Sequence, residues 1–445
     1  MDSAVGNLAR GDLLIDGSRI EAVGPSLPAG GANVIDATDM ILLPGFVDCH
    51  RHGWEAQLRH LNPNSDNLLD YCCGTHLTFA RHYRPQDNYV GNLLTAVGAI
   101  DAGVTTLVDN CHNARTHGHA AAALQAWLDA DVRVIFAPGP PLTSDWDMDS
   151  WPGPRLQHLK DILAASGNPF VTLGVMAQFV PEIWALAREM GLPIVAEVPD
   201  PQLAPVLRSL DEQGLLGPDV IFNHITGMPA DVLEILRRAG VGVNVCPRSD
   251  AQYGIGDGGM GTFQAAMDAG LEPAFSIDNE TSYGGDMFGE MRTEFFLQRA
   301  MTQRDRFSGT ENVPAPITVA EVLKAATISG ARCCSLDNVT GSLTPGKEAD
   351  LIAIRLGDRN LHPLNNAFGA VVHGADRTNI DTVIIGGRIR KRNGTIVGLD
   401  EAKLRDLVSE SRDFLMNAVG YTPDPFCDYH TGLVREFPVP NRFWQ

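Results

Sequence analysis

Two histidines that could share a metal ion end the first strongly apolar run of the sequence. The run starts at Ile41 and finishes in His50, Arg51 and His52. On an extended strand, residues two apart point to the same side, so both imidazoles face one point. A hydrophobic core has no need of two imidazoles at such a place. The spacing therefore predicts a divalent metal site at the end of a buried strand.

Three further polar residues lie at the ends of other predicted strands, namely Glu197, His224 and Asp278. Taken singly, each has an ordinary structural interpretation: a salt-bridge partner for Glu197, a core histidine for His224 and a helix N-cap for Asp278. A buried carboxylate is costly unless it is paired or coordinated. A shared metal ion would remove that cost for Glu197 and Asp278 together, so convergence on one ion is favoured. Asp109, which ends another strand, is expected beside such a site rather than in it.

The elements that must position these residues alternate along the chain. Predicted strands cover residues 42–49, 104–109, 132–137, 171–176, 193–198, 220–224, 241–246 and 273–277. Helices with apolar residues at three- and four-residue spacing are predicted at residues 89–102, 120–130, 182–190, 201–213, 230–239 and 261–269. This alternation of eight units indicates an α/β protein with a closed (β/α)8 TIM barrel, whose active site lies at the carboxyl ends of the strands. An open doubly wound sheet would need a glycine-rich phosphate loop where this chain has His-Arg-His.

The two ends of the chain have a different pattern. Residues 12–24 form a hairpin signal around Asp16-Gly17-Ser18, and residues 346–354 and 381–390 are typical of strands with glycine turns. We therefore predict a small β-sandwich domain made from both chain ends, with the barrel inserted between them. The predicted boundaries are 1–40 and 336–400 for the β-sandwich, 41–335 for the barrel, and 401–445 for a C-terminal helix and aromatic tail. The tail from residue 421 is expected to pack as an irregular strap.

Bulk composition restricts the class of protein. The 445 residues carry a net charge of -20, which argues against binding to nucleic acid or to an anionic membrane surface. The sequence has no signal peptide pattern and no apolar run long enough to cross a membrane. Eight cysteines without zinc-knuckle spacing indicate free thiols in a reducing compartment, so a cytoplasmic enzyme is expected.

Several motifs together are similar to those of a known family. They are found at residues 44–52, 102–106, 223–224, 276–278, 284–288 and 341–351. In this combination the chain resembles the amidohydrolase superfamily, in particular its cytosine-deaminase and triazine-hydrolase-like branch. The resemblance extends over almost the whole chain.

The resemblance implies a set of metal ligands. In the family, the strand-one histidines, a strand-five histidine and the strand-eight aspartate hold one divalent ion, and the strand-six histidine lies close to it. His50, His52, Asp278 and His224 match these positions, whereas Glu197 stands where the strand-five histidine is expected. A carboxylate also binds zinc, and two carboxylates suit Fe²⁺ or Mn²⁺. We expect one ion held by these five residues, with zinc first and iron or manganese as alternatives.

The resemblance also implies a reaction. We expect a metal-dependent hydrolase that cleaves C–N bonds, other than peptide bonds, in a cyclic or amide small molecule with a metal-activated water as nucleophile. Asp278 would move the proton and His224 would bind the water or the substrate. Deaminases of this branch have a glutamate three residues after the strand-five histidine. Here that position is Asp200, whose side chain is one methylene shorter and reaches less far as a proton shuttle. We therefore predict a hydrolase without specifying a deaminase.

Residues that follow the strand ends are predicted to bind the substrate. They are Trp54, Glu55, His112, Arg248 and Tyr283. Aromatic side chains among a few polar groups suit a flat cyclic substrate. Two other functions stay open at this stage: a metal-dependent lyase (a decarboxylase or dehydratase) on the same barrel, and a metal-free binding or structural relic. The resemblance also allows a homodimer.

Overall fold

Parallel strands and helices alternate through the middle of the chain, in a computed structural model that describes residues 5–256, 260–423 and 426. The strands are β1 (Asp12–Asp16), β2 (Arg19–Gly24), β3 (Met40–Pro44), β4 (Phe46–Arg51), β5 (Val104–Cys111), β6 (Arg133–Pro138), β7 (Val171–Leu173), β8 (Val175–Met176), β9 (Ile194–Glu197), β10 (Val220–Asn223), β11 (Gly242–Val245), β12 (Ala274–Phe275), β13 (Leu351–Arg355), β14 (Ile380–Ile385), β15 (Arg388–Arg392) and β16 (Thr395–Ile396). The α-helices are α1 (Leu68–Cys72), α2 (Pro85–Asp101), α3 (His117–Ala130), α4 (Gly153–Ser166), α5 (Pro181–Met190), α6 (Ala204–Glu212), α7 (Ala230–Ala239), α8 (Pro247–Tyr253), α9 (Thr262–Asp268), α10 (Met287–Phe307), α11 (Val319–Ala325), α12 (Ile328–Cys333), α13 (Ala367–Gly369) and α14 (Glu401–Ala418).

The parallel strands form two arcs that join into a ring. One arc runs β4-β5-β6-β7 and the other β8-β9-β10-β11-β12. Only Gly174 separates β7 from β8, so the two behave as one interrupted strand. At the opposite side, Arg51 and Asp278 form a parallel bridge that joins β4 to the end of β12. Counted within the described residues, this gives eight strand positions, and the predicted (β/α)8 barrel is confirmed.

Buried charges support the closure between the first and last strands. Arg51 is 1% exposed and donates to the carboxylates of Asp48 at 2.7 Å and Glu280 at 2.7 Å. Asp48 in turn accepts from the backbone N–H of Ile277 at 2.9 Å. Because each charge has an opposite partner and further hydrogen bonds, the cost of burying the group is offset. The residue between the two histidines therefore connects the ends of the barrel sheet.

The chain ends form the predicted second unit. The antiparallel sheet has the order β16-β15-β14-β13-β3, and β1 and β2 pair as a separate hairpin. A small core between the two sheets contains Ile20, Ala349, Leu351 and Ile384. The β-sandwich from both chain ends is thus confirmed.

The predicted strand at residues 42–49 is in fact two strands in two different sheets. β3 pairs with β13 in the small domain, and β4 pairs with β5 in the barrel. The break falls at Gly45, where an added Cβ would lie 2.1 Å from the hydroxyl oxygen of Thr105. The chain passes so close to its neighbour that only glycine fits.

Two long helices and one segment differ from the sequence-based expectation. α4 and α10 were not among the predicted helices, and they pack against barrel strands, α4 against β7 and α10 against β12. The predicted strap falls largely on residues 424–425 and 427–445, which lie outside the described residues. None of the helices in the described part of the chain has the length and apolarity that a bilayer crossing requires.

Candidate functional site

The carboxyl ends of the strands bring the predicted polar residues to one place. Nε2 of His50 lies 3.1 Å from Oδ1 of Asp278, and Nε2 of His52 lies 3.2 Å from the same oxygen. Oε1 of Glu197 lies 3.9 Å from Nε2 of His50 and 3.5 Å from Nε2 of His52. The two histidines and Asp278 are buried, and Glu197 keeps one fifth of its side chain exposed. We call these four residues the candidate metal centre.

The ring nitrogens on the far side of both histidines are occupied. Nδ1 of His50 pairs with the side-chain amide of Asn223 at 2.9 Å, and Nδ1 of His52 donates to the backbone carbonyl of Asn110 at 2.9 Å. Such partners orient an imidazole and fix which nitrogen faces a ligand. Nε2 of each ring is therefore the atom turned toward Asp278 and Glu197.

The spacing of these atoms fits a single ion. Two ligand atoms that bind one zinc tetrahedrally at about 2.0–2.1 Å are roughly 3.3 Å apart. The contacts of 3.1 to 3.9 Å bracket that value. Oε1 of Glu197 is buried and has no hydrogen-bond partner among the described residues. A buried carboxylate oxygen without a donor, at ligand spacing from two imidazoles, is what a cation between them would explain.

Two of the converging residues hold a backbone conformation that L-residues rarely adopt. His224 has a φ of 70° and Asp278 a φ of 69°. Residues in the left-handed region cost free energy, and they are concentrated at functional sites. Burial alone would raise the pKa of Asp278, but hydrogen bonds to His50 and His52, and the charges of those rings, hold the pKa well below its usual value. Asp278 is thus kept ionised.

His224 stands beside this cluster with a partner of its own. Its Nδ1 donates to Oδ1 of Asp250 at 2.7 Å, and its ring centroid is 5.2 Å from that of His50. Burial lowers the pKa of His224, but the charge and hydrogen bond of Asp250 outweigh burial and raise the pKa to about 9. Ligand-type atoms of His50, His224 and Cys246 lie within 4.8 Å of one another. The structure therefore brings His224 to the site, with Nδ1 committed to Asp250.

Trp54 and Glu55 are buried against neighbouring side chains rather than free in an open pocket. Trp54 is fully buried and packs against Tyr83 at 5.1 Å and His76 at 5.2 Å between ring centroids. The carboxylate of Glu55 accepts from the Tyr71 hydroxyl at 2.8 Å and lies 3.2 Å from Nε2 of His76. These two predicted substrate-binding residues are hence engaged with protein groups.

The other predicted substrate-binding residues are placed differently. Arg248 donates through Nε to Glu290 at 2.6 Å, and its guanidinium lies 4.5 Å from the ring centroid of Tyr283. The Tyr283 hydroxyl donates to the carbonyl of Ile277 at 3.0 Å. His112 alone lies against the candidate metal centre, with its Nε2 3.5 Å from Oε1 of Glu197.

Two acidic residues singled out from the sequence have local structural partners. Asp200 accepts from the backbone N–H of Gln202 at 2.8 Å and caps the 3-10 helix that follows β9. Asp109 accepts from the N–H of Gly53 at 3.0 Å and from the Trp127 indole at 2.8 Å. Burial raises the pKa of Asp109 to about 6.

The sequence indicates Ser249 and Asp250 only as residues after strand seven that could determine substrate specificity, and it does not indicate Tyr71 or His76. Ser249 donates to Oδ2 of Asp278 at 2.5 Å, and Asp250 pairs with His224. Tyr71 stacks on Tyr253 at 5.3 Å, and His76 stands edge-on to His112 at 5.0 Å. The position of Ser249 and Asp250 just after the seventh predicted strand is the signal that indicates them. Tyr71 lies on the short helix α1 and His76 on the turn that follows it, and neither position is marked by a repeating pattern in the sequence.

Comparison with known proteins agrees with this arrangement. The model of the amidohydrolase family matches residues 41–390. A 5-methylthioadenosine/S-adenosylhomocysteine deaminase of Moorella thermoacetica is 26% identical over 89% of this chain and 93% of its own length. A 5'-deoxyadenosine deaminase of Methanothermobacter thermautotrophicus is 26% identical over 90% of this chain and 94% of its own. A crystal structure of a mutant atrazine chlorohydrolase TrzN from Arthrobacter aurescens TC1, complexed with zinc and atraton, has a TM-score of 0.79 at 19% identity, covering 93% of this chain and 97% of that one.

These similarities confirm the resemblance inferred from the motifs. The relatives match along nearly their full length, so the similarity includes both the barrel and the small domain. The clustered imidazole and carboxylate atoms are able to hold a divalent metal ion.

Proposed function

The chain belongs to the amidohydrolase family and is a hydrolase of C–N bonds in small molecules, and from this premise we propose that it removes an amino group from a carbon of a flat nitrogen heterocycle. The observation that carries the proposal is Oε1 of Glu197, which has no hydrogen-bond partner in the ranges that the structure describes and lies at ligand spacing from His50 and His52. The relatives are named as deaminases, so the lyase and the metal-free relic are not favoured.

We assign one divalent ion to the candidate metal centre. Its ligands would be Nε2 of His50 and His52, an oxygen of Asp278 and Oε1 of Glu197. Two carboxylates balance the charge of the ion, which suits zinc and also Fe²⁺ or Mn²⁺. Zinc is the first choice, since a structural neighbour contains it. When bound, the ion would supply hydroxide near neutral pH by lowering the pKa of a coordinated water.

The remaining chemistry belongs to side chains of this chain. Asp278 is held ionised and accepts a hydrogen bond from Ser249, so it is able to take a proton and return it to a leaving nitrogen. His224, fixed by Asp250, presents its other ring nitrogen beside His50 for the water or the substrate. Asp200 is a helix cap, so the proton shuttle of related deaminases is not assigned to it.

The surroundings suit an aromatic substrate. Tyr253 and Tyr71 stack with an interplanar angle of 21°, and Asn279 bonds both the Tyr253 hydroxyl and Oδ2 of Asp278. Both rings are buried, so this aromatic pair forms an apolar wall beside the proposed base, as suits the lining of a site for a flat ring. The nucleosides named for the relatives belong to this class of substrate.

Ammonia release is the direct test. The metal-loaded protein would be assayed with adenosine, 5'-deoxyadenosine, 5'-methylthioadenosine, S-adenosylhomocysteine, cytosine and aminated triazines, together with elemental analysis. We expect ammonia from at least one heterocycle, and loss of both metal and activity in Glu197→Ala. The matched control is Glu212→Ala, which removes an exposed carboxylate. Ammonia from none of the compounds would overturn the reaction, and an unchanged metal content in Glu197→Ala would overturn the ligand assignment.

Three broader expectations stay predictions. A homodimer is testable by light scattering of the purified protein, and a cytoplasmic location by fractionation of the source cells. The boundaries 1–40, 41–335, 336–400 and 401–445 are testable by limited proteolysis.

A further inference from the structure

Glu197 raises a problem that a histidine in its place would not. A carboxylate rotates freely about its last bond and offers two oxygens, so it needs donors that select one orientation. Within the part of the chain that the structure describes, Oε1 has no hydrogen-bond partner, although three imidazole nitrogens lie near it. Nε2 of His52 is 3.5 Å away, Nε2 of His50 is 3.9 Å away, and Nε2 of His112 is 3.5 Å away.

The protonation of His52 follows from its neighbour. The backbone carbonyl of Asn110 only accepts, so Nδ1 of His52 must carry the proton of their 2.9 Å hydrogen bond. Nε2 of His52 faces Oδ1 of Asp278 at 3.2 Å and donates to it in the metal-free protein, and this nitrogen would be the bare ligand atom once a metal ion is bound. In neither state does His52 have an Nε2–H free for Glu197.

The same reasoning fixes the proton of His112. Its Nδ1 lies 3.2 Å from Nδ1 of His52, which carries a proton. Two N–H groups do not face each other at that distance, so Nδ1 of His112 is the acceptor. A neutral His112 therefore has its proton on Nε2, the atom that faces Glu197.

We infer that His112 is a positioning residue: its Nε2–H faces Oε1 of Glu197 across a 3.5 Å contact, longer than a formed hydrogen bond, and restrains the carboxylate, while its Nδ1 accepts from His52. This inference rests on the proposed function, since it takes Glu197 as a metal ligand. Asn110 lies at the end of β5, and His112 is the first residue after that strand. One strand end thus fixes the ring of His52 and the carboxylate that replaces the expected histidine.

The ring of His112 is itself held in place. It is 4% exposed, and His76 packs edge-on against it with ring centroids 5.0 Å apart. Nε2 of His76 lies 3.2 Å from the carboxylate of Glu55. The position of the His112 donor is therefore determined by packing that does not involve Glu197.

Two substitutions of His112 that differ by one methylene test separately whether its Nε2 or its Nδ1 is needed. His112→Gln keeps an N–H near the place of Nε2, whereas His112→Asn keeps a polar group near the place of Nδ1 only. We expect His112→Asn to lower the affinity for Zn²⁺, measured by chelator competition, by about 10- to 100-fold. His112→Gln should stay within about threefold, and the visible spectrum of its Co²⁺ form should match that of the parent protein.

The Glu197→His background supplies the control for a merely structural role. It has no carboxylate to orient, so His112→Asn should there change the affinity by less than about threefold. An equal loss in both backgrounds would overturn the inference. So would equal affinities of the Gln and Asn variants.

Two results keep this inference distinct from the proposed function. If Glu197→Ala retains its metal, the ligand assignment fails; if it loses metal while His112→Asn does not, only the role of His112 fails. Nitrogen-15 NMR of the unsubstituted metal-free protein reads the tautomer without relying on a variant that folds. We expect the proton of His112 on Nε2, and a proton on Nδ1 would refute the inference.

Discussion

The hydroxyl of Ser249 offers a sharp test of how Asp278 is kept ionised. Ser249 is fully buried on α8 and donates to Oδ2 of Asp278 at 2.5 Å. Asn279 donates to the same oxygen at 3.2 Å. Ser249→Ala therefore removes the shorter of two hydrogen bonds to this oxygen and leaves the carboxylate otherwise in place.

The size of the effect follows from the charge of the acceptor. A hydrogen bond to an ionised group contributes about 1.5–3 kcal/mol, and 1.36 kcal/mol corresponds to about one pH unit. The bond stabilises the ionised form, so its removal raises the pKa of Asp278. Since a base must be ionised to act, activity is lost as pH falls through that pKa. We expect the acid limb of kcat/KM to move upward by about 1 to 2 pH units.

The measurement is kcat/KM of the metal-loaded enzyme between about pH 2 and 9, which reports the free enzyme and reaches below the usual pKa of a carboxylate, where the lowered pKa of Asp278 lies. Ser411→Ala is the matched control, because the Ser411 hydroxyl is also buried and donates to a carboxylate, that of Asp87, at 2.8 Å. That pair lies between α2 and α14, away from the site. The acid limb of the Ser411 variant should coincide with that of the parent enzyme. If the acid limb of the Ser249 variant coincides with it too, then either Asp278 is not the base or the Ser249 hydroxyl does not lower the pKa of Asp278.

Three further outcomes are expected. Chelation should abolish activity and lower the thermal midpoint, with both restored by added zinc, because the buried carboxylates of the candidate metal centre lose their counter-charge. Gly242→Ala should lower the thermal midpoint, with a loss of about 1–3 kcal/mol or more in the free energy of unfolding, because its added Cβ would lie 2.0 Å from the carbonyl oxygen of Cys333. Gly357→Ala is the control, because its added Cβ would meet no atom of the described residues within 4 Å. Trp127→Phe leaves Oδ2 of Asp109 without its donor and should cost about 1.5–3 kcal/mol in denaturant unfolding; an unchanged midpoint would contradict that account.

The barrel and most of its strands were predictable because their signal is local. Each buried strand is a short apolar run, and His50 and His52 face one point by the two-residue period alone. Convergence of Glu197, His224 and Asp278 then follows from the rule that parallel strand ends share one edge. None of these steps requires knowledge of the loops.

What could not be predicted depends on contacts distant in sequence. The inward face of α10 carries the polar residues Glu290, Glu294 and Gln298 besides its apolar ones, so a search for apolar periodicity does not detect it. His76 lies on a π-helical turn at Cys73–Leu77 that has no repeating pattern. Its partners are defined only by the packing of that segment against the strand ends. The tautomers of His52 and His112 likewise follow from a carbonyl and a nitrogen that only coordinates reveal.

The backbone of Asp278 shows why the site and the closed barrel cannot be separated. Its N–H donates to the carbonyl of His50 at 2.9 Å, and its carbonyl accepts from the N–H of His52 at 2.7 Å. These bonds form the bridge that joins the last strand to the first, and they hold a residue whose φ of 69° is otherwise unfavourable. The distance from its carboxylate to both imidazoles is therefore set by the backbone of the barrel. Loss of the metal ion should for this reason leave His50, His52 and Asp278 in place, and its cost should come mainly from the uncompensated carboxylates.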